Sequence, residues 1–76
     1  MALPIVSERK VIKALTKAGF QVAGRKGSHV KLKKRVDDKV LIVIVPDHEE
    51  LARGTLKAIL RQANMTRENF LKLLKG

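Results

Sequence analysis

The stretch from His29 to Val45 constrains the fold most strongly, because it has the pattern of a β-hairpin. From His29 to Val36 the side chains alternate with a period of two, and successive side chains of a strand point to opposite faces of a sheet. One face would carry Val30, Leu32, Lys34 and Val36, and the other His29, Lys31, Lys33 and Arg35. A tight turn at Asp37-Asp38-Lys39 then leads to a further strand of six aliphatic residues, Val40 to Val45, which Pro46 ends.

Amphipathic helices and one short strand flank this hairpin. The 3.6-residue apolar spacing predicts a helix over residues 8–18, with Ser7 as its N-cap and Gly19 closing it, and a short strand from Phe20 to Arg25. A second helix follows Arg53-Gly54-Thr55 and ends near Asn64, and a third begins after Thr66. The sequence therefore predicts one domain over residues 1–76, a two-layer α+β fold of order α-β-β-β-α-α with an antiparallel three-stranded sheet.

The last strand raises a separate question, because an edge strand with one exposed face should alternate and Val40 to Val45 does not. One interpretation is an uncovered apolar face, used for self-association or for a partner protein. The other is a strand that is well buried in a small core.

Charge and composition indicate what kind of partner the chain binds. The chain has 76 residues, with 17 Lys and Arg against seven Asp and Glu, a net charge of +10 that favours nucleic acid or an acidic protein. It has no cysteine, which excludes disulfides and thiolate chemistry, and no apolar run long enough to span a membrane. We expect a soluble cytoplasmic protein. The only aromatic residues are Phe20 and Phe70, so no stacking platform for bases is expected.

The segment Arg25-Lys26-Gly27-Ser28-His29 combines cations, a flexible backbone, a hydroxyl and an imidazole. Cleavage of an RNA phosphodiester without a metal needs a base for the 2′-hydroxyl, an acid for the leaving 5′-oxygen, and cations for the developing charge. His29 would supply the acid and the base, and Lys31 and Lys33 on the same strand face would supply the cations. The alternative is that His29 only contacts RNA or lies in solvent within a basic turn.

Two other polar stretches are weaker candidates. His48 lies among acids in Pro46-Asp47-His48-Glu49-Glu50, but a loop histidine bonded to its neighbours fits better than a metal ligand, and we expect no metal or other cofactor. At the second helix, Gly54 and Thr55 either bind a phosphate or form an ordinary helix start. Lys57 and Arg61 would extend that basic surface by one helical turn.

Three linked blocks of this sequence resemble the HicA toxin family. They are Lys26-Gly27-Ser28-His29, Val45-Pro46 with His48, and Gly54-Thr55-Leu56 continuing to Ile59-Leu60-Arg61-Gln62-Ala63. The resemblance covers about Val11 to Leu74, and Asn64 departs from it where the family usually has glycine. It implies a fold like that of double-stranded-RNA-binding domains and the toxin of a type II toxin–antitoxin system.

The activity implied by the resemblance is that of a metal-independent mRNA interferase, an endoribonuclease with His29 as general acid and base. Its partners would be mRNA and a HicB-like antitoxin that covers the active site. The RNA-binding residues expected from the charge pattern and the resemblance are Lys26, Gly27, Ser28, Lys31, Lys33, Lys57 and Arg61. Two alternatives stay open: a non-catalytic double-stranded-RNA-binding module, and a module that binds an acidic protein and no RNA.

Overall fold

A computed structural model describes residues 3–75 and has the predicted order of elements. The helices and strands are α1 Glu8–Lys17, β1 Gln21–Lys26, β2 His29–Val36, β3 Lys39–Pro46, α2 Arg53–Gln62 and α3 Arg67–Lys75. The strands form one antiparallel sheet in the order β1-β2-β3. The predicted α+β fold of order α-β-β-β-α-α is therefore confirmed.

Caps fix the helix ends close to the predicted positions. The Lys10 N–H donates to the Ser7 hydroxyl at 3.4 Å, and the Asn69 N–H donates to the Thr66 hydroxyl at 3.1 Å, so Ser7 and Thr66 cap α1 and α3. Helix α2 instead has Ala52 at its N-cap and no side-chain cap. Thr55 is the third residue of α2, not a residue that precedes the helix.

The first strand begins one residue later than predicted, because the backbone N–H of Phe20 is used in the C-terminal cap of α1. The Phe20 N–H donates to the Leu15 carbonyl, and the Gly19 N–H donates to the Thr16 carbonyl. With Gly19 at φ +103°, these two bonds form a Schellman motif. The pairing of β1 with β2 is also irregular between Val22 and Gly24, where β1 carries a bulge.

The core lies between one face of the sheet and the helices. Val30 and Leu32 of β2 and Val43 and Val45 of β3 are fully buried, as the alternation predicts for β2. The helices bury Val11, Leu15, Leu56, Ile59 and Phe70 against them. Lys34 points to this side at the edge of the core, with its Nζ 5.7 Å from the centre of the Phe20 ring.

The other face of the sheet is open to solvent. It carries the side chains of His29, Lys31, Lys33 and Arg35, which are all exposed. No helix among residues 3–75 is long and apolar enough to cross a membrane. The open face is thus the surface on which the predicted site residues of the hairpin can meet a large ligand.

Candidate active site

His29 lies at the first position of β2, directly after a two-residue turn. Lys26 and His29 are paired across β1 and β2, and Gly27 and Ser28 connect them. Gly27 has φ +58°, which suits the first central position of a type II′ turn and is strained for other residues. The hairpin geometry therefore holds the Lys26 and His29 side chains next to each other on the same side of the sheet.

The loop after β3 anchors this turn. The Asp47 N–H donates to the Ser28 carbonyl at 2.6 Å, and Pro46 is the β3 partner of His29. The loop is itself attached to α1, because the Glu8 N–H donates to the His48 carbonyl at 3.0 Å. Backbone hydrogen bonds thus connect the His29 turn to the beginning of α1 through residues 46–48.

The guanidinium group of Arg25 connects β1, the loop after β3 and the beginning of α1 through side-chain contacts. Arg25 of β1 donates from Nη1 to Oδ2 of Asp47 at 3.2 Å, and its Nη2 lies 3.9 Å from Oε2 of Glu8. Glu8 is the one charged residue buried among residues 3–75, and its Oε2 has no hydrogen-bond partner there. The Arg25 charge is therefore the main compensation for burying this carboxylate.

The turn borders an open groove on the sheet. Its lining combines glycine backbone, three cations, a hydroxyl, an imidazole and one aliphatic side chain: Gly24, Arg25, Lys26, Gly27, Ser28, His29, Lys31 and Ile44. No carboxylate lines this groove among residues 3–75. A phosphate group placed here would meet cationic side chains and one imidazole that can accept or donate a proton.

The structure brings together only some of the residues predicted to bind RNA. Lys26, Gly27, Ser28 and Lys31 line the groove with His29. Lys33 lies on the same open face, one pair further along β2, opposite Gln21 and Ile42. Lys57 and Arg61 are exposed on α2, outside the groove. Their role in RNA binding stays a prediction.

His48 has a different environment from His29. Its side chain is exposed, and it joins the site through its backbone, by the bond to Glu8 and by an N–H···O bond to Pro46. Among residues 3–75, no group of three His, Asp or Glu side chains converges in a way that could hold a metal ion.

The exposed side of β3 is apolar. The interpretation of β3 as a strand well buried in a small core is therefore wrong. Val40, Ile42 and Ile44 are 50%, 47% and 38% exposed, whereas Val43 and Val45 are buried. We call the three exposed residues the β3 stripe. By register they lie beside Arg35, Lys33 and Lys31, so the open face has an aliphatic row next to a cationic row. The Ile44 N–H at the free edge donates to Oε1 of Gln62 at 3.2 Å.

Sequence reasoning missed the contacts of Glu8 and Asp47 and the place of Ile44 in the groove. Glu8 was predictable only as a favourable residue in the first turn of α1, and Asp47 only as a neighbour of His48. The acidic residues that follow Pro46 were a signal for pairing with the basic turn. The partner, however, depends on which strands lie side by side.

The fold and site define a class: small, strongly basic α+β proteins with one histidine in a cationic groove on an open antiparallel sheet. The family model for the HicA toxin of bacterial toxin–antitoxin systems matches residues 9–65 of the 76, so the chain belongs to the HicA toxin family and is the toxin of such a system. A comparison with curated proteins finds no match. The matched range includes the whole groove and its anchoring loop.

Proposed function

We propose that this toxin is a metal-independent endoribonuclease, an mRNA interferase, with His29 as its general acid and base. The family is known for toxins of the ribonuclease type. The observation that carries the proposal is the placement of His29 in the groove beside Lys26 and Lys31, while the only other histidine, His48, is outside it. Imidazole among cations is the chemistry that RNA cleavage without a metal requires.

The proposed reaction is an internal transfer at phosphorus. His29 accepts the proton of a ribose 2′-hydroxyl, and the 2′-oxygen forms a bond to the neighbouring phosphorus while the bond from phosphorus to the 5′-oxygen breaks. The leaving 5′-oxygen takes up a proton from the imidazolium or from water. The products are a 2′,3′-cyclic phosphate and a 5′-hydroxyl, with atoms and charge in balance.

The cations have the second role in this mechanism. Lys26 is paired with His29 across the hairpin, and Lys31 follows it on the same strand face. Their ammonium groups would stabilise the negative charge that develops on the phosphorane oxygens. Gly27 and Ser28 offer backbone and hydroxyl contacts to the same phosphate. Because no aromatic side chain lines the groove among residues 3–75, bases would be held weakly and cleavage would show little sequence preference.

A second candidate is a non-catalytic RNA-binding module with the same groove. It is favoured by the content of the groove, which among residues 3–75 has His29 as its only imidazole and no carboxylate or second histidine beside it to share the acid and base roles. Incubation of RNA with the protein in EDTA separates the two candidates. The proposal predicts shortened RNA with 2′,3′-cyclic phosphate ends, measurable by mass spectrometry, whereas a binding module would only shift intact RNA on a gel.

We also propose that a HicB-like antitoxin covers the open face of the sheet. A toxin of this family has an antitoxin partner. The β3 stripe offers apolar anchors, and the row of Lys31, Lys33 and Arg35 beside it offers charge for an acidic protein. A protein seated on both rows would exclude RNA from the groove, because Ile44 and Lys31 also line the groove.

A further inference from the structure

A second basic surface lies on α1, away from the open face of the sheet. Its residues Arg9, Lys10, Lys13 and Lys17 are all exposed. No carboxylate of residues 3–75 lies within 4.0 Å of the charged nitrogens of any of the four, since the ion pairs of this region involve Arg25. We call Arg9, Lys13 and Lys17 the α1 row, because they follow one another at four-residue intervals.

Such a row is unfavourable for the helix by itself. Residues four apart on a helix are surface neighbours, roughly 5–6 Å apart at Cβ, and like charges at this spacing repel. The row extends about 12 Å along the helix axis, at about 1.5 Å per residue. Lys17 donates from Nζ to the Leu73 carbonyl at 3.4 Å, but no residue of the row has a carboxylate partner within the described residues 3–75. A row of cations with this spacing is suited to successive phosphates of a nucleic-acid backbone.

The surroundings of the row favour RNA over a protein as its ligand. The only other exposed side chain of α1 is Thr16, so the helix itself presents no exposed apolar side chain. Of the apolar residues that share a depression with Lys13 and Lys17, Leu73 and Leu74 are half-buried and Ile5 is 54% exposed. Protein interfaces need buried apolar residues at their centre, and the sheet has them in the β3 stripe. Nucleic-acid backbones need charge and no apolar contact. The two basic surfaces of the molecule thus differ in the partner that they fit.

The α1 row begins beside the loop that anchors the His29 turn. Arg9 follows Glu8, and Oε2 of Glu8 lies 3.9 Å from the Arg25 guanidinium, which lines the groove. Arg9 shares a depression with His48 and three carboxylates, those of Glu8, Asp47 and Glu49. Arg25 offsets the charges of Glu8 and Asp47, and Glu49 is exposed to solvent. An RNA strand that passes from the groove to the α1 row would run past Arg25 and this loop.

We propose that the α1 row binds the phosphate backbone of the RNA segment that flanks the groove. That this RNA is also the substrate rests on the proposed function, whereas the binding itself does not. Because the row lies on α1 and the β3 stripe on the opposite layer, an antitoxin seated on the stripe would leave the row free.

The test compares two triple variants of the full chain in a His29→Ala background, so that no cleavage intervenes. The first variant is R9Q/K13Q/K17Q, and the control is K39Q/K72Q/K75Q, which removes the same charge from exposed lysines elsewhere. The Kd for a labelled single-stranded RNA of about 20 nucleotides is measured by anisotropy against salt concentration. Thermal melting checks that each variant is folded.

We expect the slope of log Kd against log salt to fall by about 2 in the first variant, since each lost phosphate contact on a single strand removes about 0.7. The slope should change little in the control. Equal losses in both variants would mean that only net charge matters and would overturn the proposal. An unchanged slope in the first variant would also overturn it and would leave an acidic protein as the ligand of α1.

Two further variants keep the test decisive. If the triple variant does not fold, Lys13→Gln at the centre of the row should lower the slope by about 0.7. The charge-conserving K13R/K17R should keep the full slope, and a loss there would contradict a backbone contact based on charge. Failure of the wild type to cleave RNA would reject the proposed function and leave the slope difference intact, so the two failures are distinguishable.

Discussion

The backbone N–H of Asp47 donates a 2.6 Å hydrogen bond to the carbonyl of Ser28, so the loop after β3 holds the turn that carries His29. The Arg25 side chain reinforces this connection through ion pairs with Asp47 at 3.2 Å and with the buried Glu8 at 3.9 Å. The position of His29 thus depends on groups from three segments that are distant in sequence. This dependence leads to predictions about stability as well as activity.

Arg25 should matter more for stability than its exposed pairing with Asp47 suggests. Arg25→Gln leaves the Glu8 carboxylate buried without a cation, and we expect the free energy of unfolding to fall by about 1–3 kcal/mol. Asp47→Asn removes only a half-exposed ion pair and should cost at most about 1 kcal/mol. Urea unfolding of both variants measures the difference.

The double variant E8Q/R25Q provides the control for this prediction. Replacing the carboxylate by an amide removes the buried charge, so the double variant should be more stable than Arg25→Gln alone. If the effects of the two substitutions simply add, Glu8 and Arg25 are not coupled, and the assigned role of Arg25 is wrong.

Gly27 should tolerate substitution worse than Gly24, although a Cβ would meet no atom within 4 Å at either position. Gly27 has φ +58°, a conformation that costs other residues about 1–2 kcal/mol, whereas Gly24 has no positive φ. Gly27→Ala should therefore lower the melting temperature by several degrees, and Gly24→Ala should not. Equal melting temperatures for the two variants would show that the turn accommodates alanine without strain.

The cations of the groove should affect turnover, and those of α2 should affect only binding. Lys26→Gln or Lys31→Gln is expected to lower kcat on the order of tenfold to a hundredfold, because each removes charge stabilisation next to the reacting phosphate. K57Q/R61Q lies outside the groove and should raise KM with kcat unchanged. Single-turnover and steady-state cleavage of a long RNA separate the two parameters. Loss of kcat in K57Q/R61Q would place α2 at the reaction centre instead.

The β3 stripe should be needed for neutralisation by the antitoxin. Ile42→Lys places a charge in the middle of the stripe and should weaken antitoxin binding by tenfold or more, a loss of at least about 1.4 kcal/mol in binding free energy. A loss of this size is typical of a residue at the centre of an interface. RNA cleavage by the free toxin should persist, because Ile42 does not line the groove. Ile5→Lys is the matched control, since Ile5 is 54% exposed and lies outside the sheet. Binding of the antitoxin to both variants is measured by calorimetric titration. Equal affinities for the two variants would contradict the proposal.

Local patterns in the sequence were sufficient for most of the fold. The bounds of β2 agree with the prediction, because the alternation from His29 to Val36 marks a strand of this length, although only Val30 and Leu32 of its inner face are fully buried. Gly19 and Asn64 have the positive φ expected of helix terminators. The first strand was displaced because the N–H of Phe20 is used by α1 and because β1 contains a bulge, neither of which a periodicity reveals.

The site was predictable only where it lies within one hairpin. Lys26, Gly27, Ser28 and His29 are adjacent in sequence, so their proximity follows from the turn itself. The contacts of Arg25 with Glu8 and Asp47 cross 17 and 22 positions of the chain and depend on how α1 and the loop after β3 pack against β1. Composition predicted the excess positive charge but not its separation into a row beside the apolar β3 stripe on the sheet and a second row on α1.

The central claim is that His29 is the acid–base group of an endoribonuclease, and the two histidines of the chain offer a matched comparison. Cleavage of a long single-stranded RNA in EDTA is measured for the wild type, His29→Ala and His48→Ala, with folding checked by melting. We expect the wild type and His48→Ala to cleave alike, since His48 contributes backbone hydrogen bonds, and His29→Ala to lose about 10²–10⁴-fold in rate. Equal cleavage by His29→Ala and the wild type would contradict the assignment.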